Sequence, residues 1–331
     1  DPKHLKASLN LGTALRELGR LVEAEQRLRP LLPHAPVQAE AGWNLALLLL
    51  QQERWAEGWQ HYEARRELSG FAMDRPPLPH WQGQPVERLV VYAEQGLGDT
   101  FQFLRFLQGL SERVKHLILR VHDPLVPLLS GCAAQVIGRS QGWPEADAAF
   151  PLLSAPSLGL WPPPPPPSLV PDPARQRRLR LQLGRKKPLQ IGLNWQGNRS
   201  YKADAQRSIP AHVFAPLLKR PDCRWIALQR GESVPDGVET WPNLDEEGSF
   251  LDSAALLQSL DLFITSDTAL AHLAGALGCP VWLLLPAHPD WRWGLTGSDS
   301  LWYPTMRIFR QEQPGDWAGV IARVEAALGD T

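Results

Sequence analysis

Cysteine is scarce: Cys132, Cys223 and Cys279 are scattered through 331 residues, with no Cys-x-x-Cys pair. That argues against a disulfide framework and a cysteine zinc site, and fits a reducing compartment. Net charge is close to nil, at −1, so no overall pull toward nucleic acid or an anionic membrane is encoded. No apolar run is long enough to span a bilayer and no signal peptide is visible, so a cytoplasmic location is expected. The opening "DPKHLKASLN" reads as mid-protein sequence, and residues upstream of it are expected.

What is present describes a globular chain, 44% hydrophobic and 21% charged, long enough for two or three domains. Tryptophan is plentiful at 14. Several stand beside loops, where a flat ring walls a pocket or covers a core edge.

The first stretch repeats itself. Asn10-Leu11-Gly12 aligns with Asn44-Leu45-Ala46, Leu15 with Leu49, Ala24 with Gly58 and Leu28 with Tyr62. The offset is about 34 residues, the tetratricopeptide period, with small residues for close helix approach and large ones to fill between. Fewer than two full repeats are visible, so they must lean on the next domain or on further repeats.

From Leu89 the pattern becomes strand–helix–strand. "RLVVYA" (88–93), "HLILRV" (116–121) and "AQVIG" are strands, with "TFQFLRFLQGL" and "PLVPLLSG" as helices. Six prolines, Pro162–Pro167, then favour an extended connector. Beyond it come strands "LQIGLNW", "RWIALQ", "LFIT" and "VWLLL", interleaved with helices and closed by "WAGVIARVEAAL". The expected fold is α/β, with two Rossmann-like lobes behind an all-α repeat segment. The expected units are 1–70, 71–170 and 171–331. Ligands of such sheets bind at strand carboxyl ends, which selects the loops beginning at Glu94, Asn194, Gln229, Thr265 and Leu285.

In "SDTALAHLAGALGCP" (266–280), Ser266, Asp267 or Thr268 can cap a thin Ala/Gly helix starting near Ala269. His272 lies one turn deeper than Thr268 on the same face. The layout is that of a capped core helix and equally that of a phosphate seat. "NWQGNRSYKADAQRS" (194–208) brings Arg199, Lys202 and Arg207, suited to phosphate oxygens or to plain solvation. "EQGLGDTFQF" (94–103) matches the start of a dinucleotide fingerprint, but Phe101 replaces its third glycine. Asp123, about 25 residues on, stands where a ribose-binding acid sits, so nicotinamide binding stays open. In the other reading, Gly96 and Gly98 admit a substrate that Asp99 faces.

These three stretches, with "VWLLLPAHPDWRW", resemble the bacterial tetratricopeptide-linked glycosyltransferases related to the lipopolysaccharide heptosyltransferases. The resemblance runs from about Arg88 to the end, and Asp-Thr-x-x-x-His is its most specific piece. It implies a GT-B fold with a nucleotide-sugar donor held by the second lobe. Asp267, Thr268 and His272 would then sit at the diphosphate and sugar. Arg207 would serve as the basic phosphate contact, Asp99 as the base, and Gln229 to Glu232 would meet the nucleoside. Ala269 stands where the family commonly has glycine, and the first lobe is short. Domain order alone is shared with the O-GlcNAc transferases.

The expected donor set is therefore Asn194, Trp195, Gly197, Lys202, Arg207, Gln229, Ser266, Asp267, Thr268, Ala269 and His272. Gln95, Gly96 and Gly98 form the acceptor-side loop, and Asp99 is the candidate general base. No Asp-x-Asp occurs in the chain, so no divalent metal clamp and no cofactor are expected. The acceptor is protein, lipid or polysaccharide, and the repeats suit a protein partner. The alternative is an inactive scaffold that docks a partner through its repeats. The enzyme reading requires a ligand between Asp99 and the amides at 266–269.

Overall fold

The computed structural model describes residues 2–70, 75–167, 169–184, 188–199, 204–229, 234–241 and 243–329. Helices α1 (Pro2–Glu17) and α2 (Leu21–Leu28) form one hairpin; α3 (Gln38–Gln51) and α4 (Trp55–Tyr62) form another. The second helices start at Leu21 and Trp55, 34 residues apart. The turns before them match. Gly19 (φ +73°) and Glu53 (φ +61°) are both left-handed. The next amides reach back five residues, Arg20 N to Leu15 O and Arg54 N to Leu49 O, each at 2.9 Å. Both helices thus end in the same left-handed cap.

Within each hairpin the helices meet at a glycine. A Cβ on Gly12 would lie 2.8 Å from Leu28 Cδ2, and one on Gly58 2.7 Å from Leu50 Cδ2.

A four-stranded sheet follows. It contains β1 (Arg88–Tyr92), β2 (His116–Val121), β3 (Gln135–Gly138) and β4 (Ala148–Pro151), with α5 (Leu97–Phe103), α6 (Leu107–Ser111) and α7 (Val126–Leu129) between. The order is β3-β2-β1-β4, with every pairing parallel. Strand β4, which pairs β1 on the side away from β2, carries no strand pattern in the sequence. The proline run is tied down: Pro164 O accepts from Arg105 Nη1 at 3.0 Å, and Trp161 packs on Trp55 at 4.6 Å.

Asp172 opens the second lobe by capping α8 (Pro173–Leu183), accepting from the Ala174 and Arg175 amides. The remaining elements are β5 (Leu189–Asn194), α9 (Asp204–Arg207), α10 (Ala215–Leu218), β6 (Cys223–Ala227), β7 (Val238–Thr240), α11 (Leu251–Leu257), β8 (Leu262–Ser266), α12 (Ala269–Ala276), β9 (Val281–Leu285), β10 (Met306–Arg310) and α13 (Trp317–Gly329). The sheet order is β10-β9-β8-β5-β6-β7, again wholly parallel. Central strands such as "VWLLL" are covered on both faces, which is why they read as apolar runs rather than alternations.

The helical segment leans on both lobes. Gln51 Nε2 donates to Pro289 O at 3.0 Å. The Trp59 ring lies 6.0 Å from Phe103, 5.2 Å from Trp161 and 5.5 Å from Trp291. One apolar cluster therefore runs from α3 and α4 through α5 to α12. Among the described residues no helix is long and apolar enough to cross a membrane.

Candidate functional site

The carboxyl ends of β5, β6 and β8 are knotted together by side chains. Asn194, the last residue of β5, accepts at Oδ1 from Thr265 Oγ1 (3.3 Å) and Thr268 Oγ1 (3.1 Å). Its Nδ2 donates to Gln229 Oε1 at 3.1 Å, which also accepts from the amides of Trp195 and Gln196. Asn194 and Gln229 thus hold the loops in register. Trp195 is buried, 6.4 Å from Phe214.

Thr268 is the N-cap of α12, yet its hydroxyl turns to Asn194 rather than to its own helix. The first amides of the helix, at Ala269 and Leu270, are left without a side-chain cap, and such amides favour an anion. Ser266 Oγ is buried with no hydrogen-bond partner among the described residues.

Behind the helix start, His272 stacks on Trp293 at 5.2 Å, and its Nδ1 shares a hydrogen bond with the Tyr303 hydroxyl at 3.0 Å. Gly275 admits that tyrosine: a Cβ there would lie 2.5 Å from its ring. Burial pushes His272 well below the ordinary histidine range, with Arg292, Arg105 and Arg207 adding to it. The ring is therefore neutral. Its Nε2 lies 3.8 Å from Asp267 Oδ1. Burial pushes the Asp267 carboxyl up to about 6, and Asp290 adds to this while Arg207 opposes it.

Arg207 thus acts on both Asp267 and His272. It is seated by Asp204, whose Oδ1 accepts from Arg207 Nε at 3.1 Å and whose Oδ2 accepts from Ser208 Oγ at 2.8 Å. Gly197 lies against that pair: a Cβ would meet Asp204 Oδ1 at 2.5 Å and Arg207 Nη2 at 2.6 Å. Lys202 and the segment 230–232 lie outside the described residues.

Across the seam, Asp99 Oδ2 accepts from the Gly96 amide at 2.8 Å, closing the first turn of α5. Asp99 Oδ1 accepts from Arg292 Nη2. Gln95, just before, is left-handed (φ +55°) and donates from Nε2 to Tyr62 Oη at 3.2 Å. The starts of α5 and α12 touch. A Cβ on Gly98 would lie 2.8 Å from His272 Cδ2 and 3.4 Å from Ala269 Cα. Gly98 therefore serves helix-to-helix approach, where the sequence suggested approach to a substrate. Asp123, the candidate ribose acid, is engaged by Ser140, accepting from its hydroxyl and amide.

Beside Gln229 lies a cavity of about 220 Å³, lined by Ala227, Thr240, Trp241, Asn243, Leu244 and Glu246. Its floor loop is bent by left-handed Asn243 (φ +63°) and Asp245 (φ +53°). Sequence reasoning missed Trp241, Trp293, Tyr303 and Arg292. Arg292 was within reach, because "PDWRW" follows a strand end already singled out.

Residues 233–312 match the family model of glycosyltransferase family 9 (heptosyltransferase). Protein FlbA of Caulobacter vibrioides is 30% identical over 376 residues, an alignment taking in 99% of this chain. The chain spans 62% of the length of that relative. Among solved structures, the glycosyl transferase family 9 protein from Veillonella parvula DSM 2008 has a TM-score of 0.52 at 11% identity, over 74% of this chain and 95% of that one. The E. coli ADP-heptose lps heptosyltransferase II has a TM-score of 0.50 at 13% identity, over 74% and 98%. The fold is thus α/β with parallel sheets, of the GT-B type seen in family 9, and the matched segment contains the whole of β8, α12 and β9.

Proposed function

We propose that the chain is an inverting glycosyltransferase that uses a nucleotide-diphosphate-sugar and no metal ion. The start of α12 carries the reading: uncapped amides, buried Ser266, Asp267 and Thr268, a neutral His272, and Arg207 in electrostatic reach. The donor diphosphate would lie on these amides beside Arg207. Its nucleoside would occupy the cavity between Gln229 and Trp241, where the indole offers a flat face. Asp99 would take the proton of an acceptor hydroxyl as its oxygen bonds to the anomeric carbon. The carbon–oxygen bond to the diphosphate breaks, and its electron pair leaves with the nucleoside diphosphate. Arg207 supplies the charge that a metal supplies elsewhere.

The division at 1–70, 71–170 and 171–331 belongs to the same reading, with the two hairpins as tetratricopeptide-type repeats that dock a protein partner. Their 34-residue recurrence supports this. The acceptor is a protein, lipid or polysaccharide hydroxyl, and the place of action is the cytoplasm.

One observation favours the inactive scaffold: Asp99 is bonded by Arg292, and α5 packs on α12 where the donor sugar must sit. A thermal-shift panel of nucleoside diphosphates separates the two. A transferase is stabilised by about 2.7 kcal/mol at a hundredfold excess over Kd, whereas a scaffold is unmoved. Asp99→Asn should cut transfer steeply, to a small residual rate, and keep the shift.

A further inference from the structure

Arg292 is nine-tenths buried and belongs to the loop after β9. Its guanidinium serves three acceptors from three nitrogens. Nε donates to Gln102 Oε1 at 2.7 Å, Nη1 to Asp290 Oδ1 at 2.6 Å, and Nη2 to Asp99 Oδ1. Two acceptors, Asp99 and Gln102, are on α5 of the first lobe; Asp290 is on Arg292's own loop. The plane lies 4.5 Å over the Trp291 ring. That ring packs edge-on to Trp59 and Tyr62 of the helical segment, at 5.5 and 5.9 Å. From the other side, Trp302 Nε1 donates to Arg292 O at 2.9 Å. The side chain is therefore fixed by parts of all three units.

We infer that Arg292 is a positioning residue for Asp99, aiming its carboxylate across the seam at the start of α12. This rests on the reading of Asp99 as the base. One oxygen of Asp99 is fixed by the Gly96 amide and the other by Arg292, so the carboxylate is held in one orientation, one residue from the Gly98 contact with α12. A planar fork satisfies three divergent acceptors at once; a lysine ammonium, as a point charge on a flexible stem, does not. Losing this aim by about 1 Å costs on the order of a hundredfold in rate.

The test measures nucleoside diphosphate release from the nucleotide-sugar matching the strongest thermal shift, with water as acceptor, and nucleoside diphosphate affinity by calorimetry. Arg292→Lys should lower turnover about 100-fold while affinity stays within about twofold, because lysine keeps the positive charge felt at Asp267 and His272. In an Asp99→Asn background the same change should cost nothing further. Gln102→Leu, which keeps the arginine charge but frees its Nε, should lose about three- to tenfold by the same rule and serves if Arg292→Lys does not fold.

Equal losses with and without Asp99, or donor affinity falling in step with turnover, would overturn the proposal. If the wild type releases no nucleoside diphosphate from any donor, the reading of Asp99 as base fails first, and the positioning role falls with it.

Discussion

Gly98 of α5 lies directly against the His272 ring of α12, so that a methyl group there would sit 2.8 Å from Cδ2. This is where the two sheet lobes come closest to the proposed chemistry. In a helix, Gly→Ala ordinarily gains about 1 kcal/mol. Here the added carbon must displace a buried ring stacked on Trp293, and overpacking of that kind costs about 1–3 kcal/mol. Gly98→Ala should therefore lower the urea midpoint. Gly96→Ala, whose Cβ would meet only Asp99 Oδ2 at 3.1 Å on an exposed turn, should move stability by less than about 1 kcal/mol. Equal effects at the two positions would mean that the seam is looser than described.

Arg65 is fully buried where the helical segment meets the first lobe. Nη2 donates to Glu94 Oε2 and Ser154 Oγ, both at 2.8 Å, and Nη1 to Glu63 Oε1 and Tyr62 O, both at 3.0 Å. Arg65→Ala strands the nine-tenths-buried Glu94 carboxylate beside an apolar core, while Glu63 keeps the Ser154 hydroxyl and Arg66. The expected loss is about 3–5 kcal/mol, read by chemical denaturation. It should also separate the melting of the hairpins from that of the lobes, because the two helical hairpins lean on the first lobe through this contact. A single, unshifted transition would show that this contact is not what couples the hairpins to the lobe.

Much of the architecture was legible from apolar runs. The strands 88–92, 116–121, 189–194, 262–266 and 281–285 lie within a residue or two of where the pattern puts them. The strands that escaped share a cause. β7 (Val238–Thr240) and β10 (Met306–Arg310) are edges of the sheet. β7 is short and half open, and "MRIFR" carries two arginines, so neither reads as a continuous apolar run. β4 is rich in alanine and ends on proline.

The site divides the same way. Thr268 and His272 were legible as neighbours on one helix face from their four-residue spacing, and Asp267 as a capping candidate just before the helix. The partnership of Arg292 with Asp99 spans 193 residues, and nothing local in the sequence encodes it. The role of Asn194 was half visible, as a strand-end residue, but its function as the knot between Thr265, Thr268 and Gln229 is a tertiary fact.

That knot is itself testable. Asn194→Ala removes two acceptor bonds and one donor bond, from buried Thr265 and Thr268 and half-buried Gln229. Thr265 keeps its bond to Ser266 O and Gln229 Oε1 keeps its two amides, so Thr268 is the partner left stranded, at about 1–3 kcal/mol unless water reaches it. Stability should fall by about that much in thermal or urea melts. Nucleoside diphosphate affinity should fall too, because Thr268 is then free to rotate and cap the amides that the phosphate needs. Retained affinity would separate the knot from the donor seat.

The pair Asp267 and His272 makes a prediction whose sign differs between partners. His272 is held below its unfolded value near 6.5. As pH falls through 6.5 the unfolded chain takes a proton that the folded chain refuses, so this residue withdraws stability by up to about 1.4 kcal/mol per pH unit. Asp267 is raised to about 6 from an unfolded value of 3.8. Between those values the folded chain holds the extra proton, so this residue adds stability as pH falls, at a similar slope. In the wild type the two largely offset each other between pH 6 and 4. His272→Asn should gain on the wild type progressively below pH 6.5, whereas Asp267→Asn should lose ground progressively from pH 6 down to about 4. Urea titrations at half-unit steps resolve both slopes. Parallel curves for wild type and His272→Asn would mean that the imidazole takes up its proton as freely as in water, which its burial between Trp293 and Tyr303 forbids.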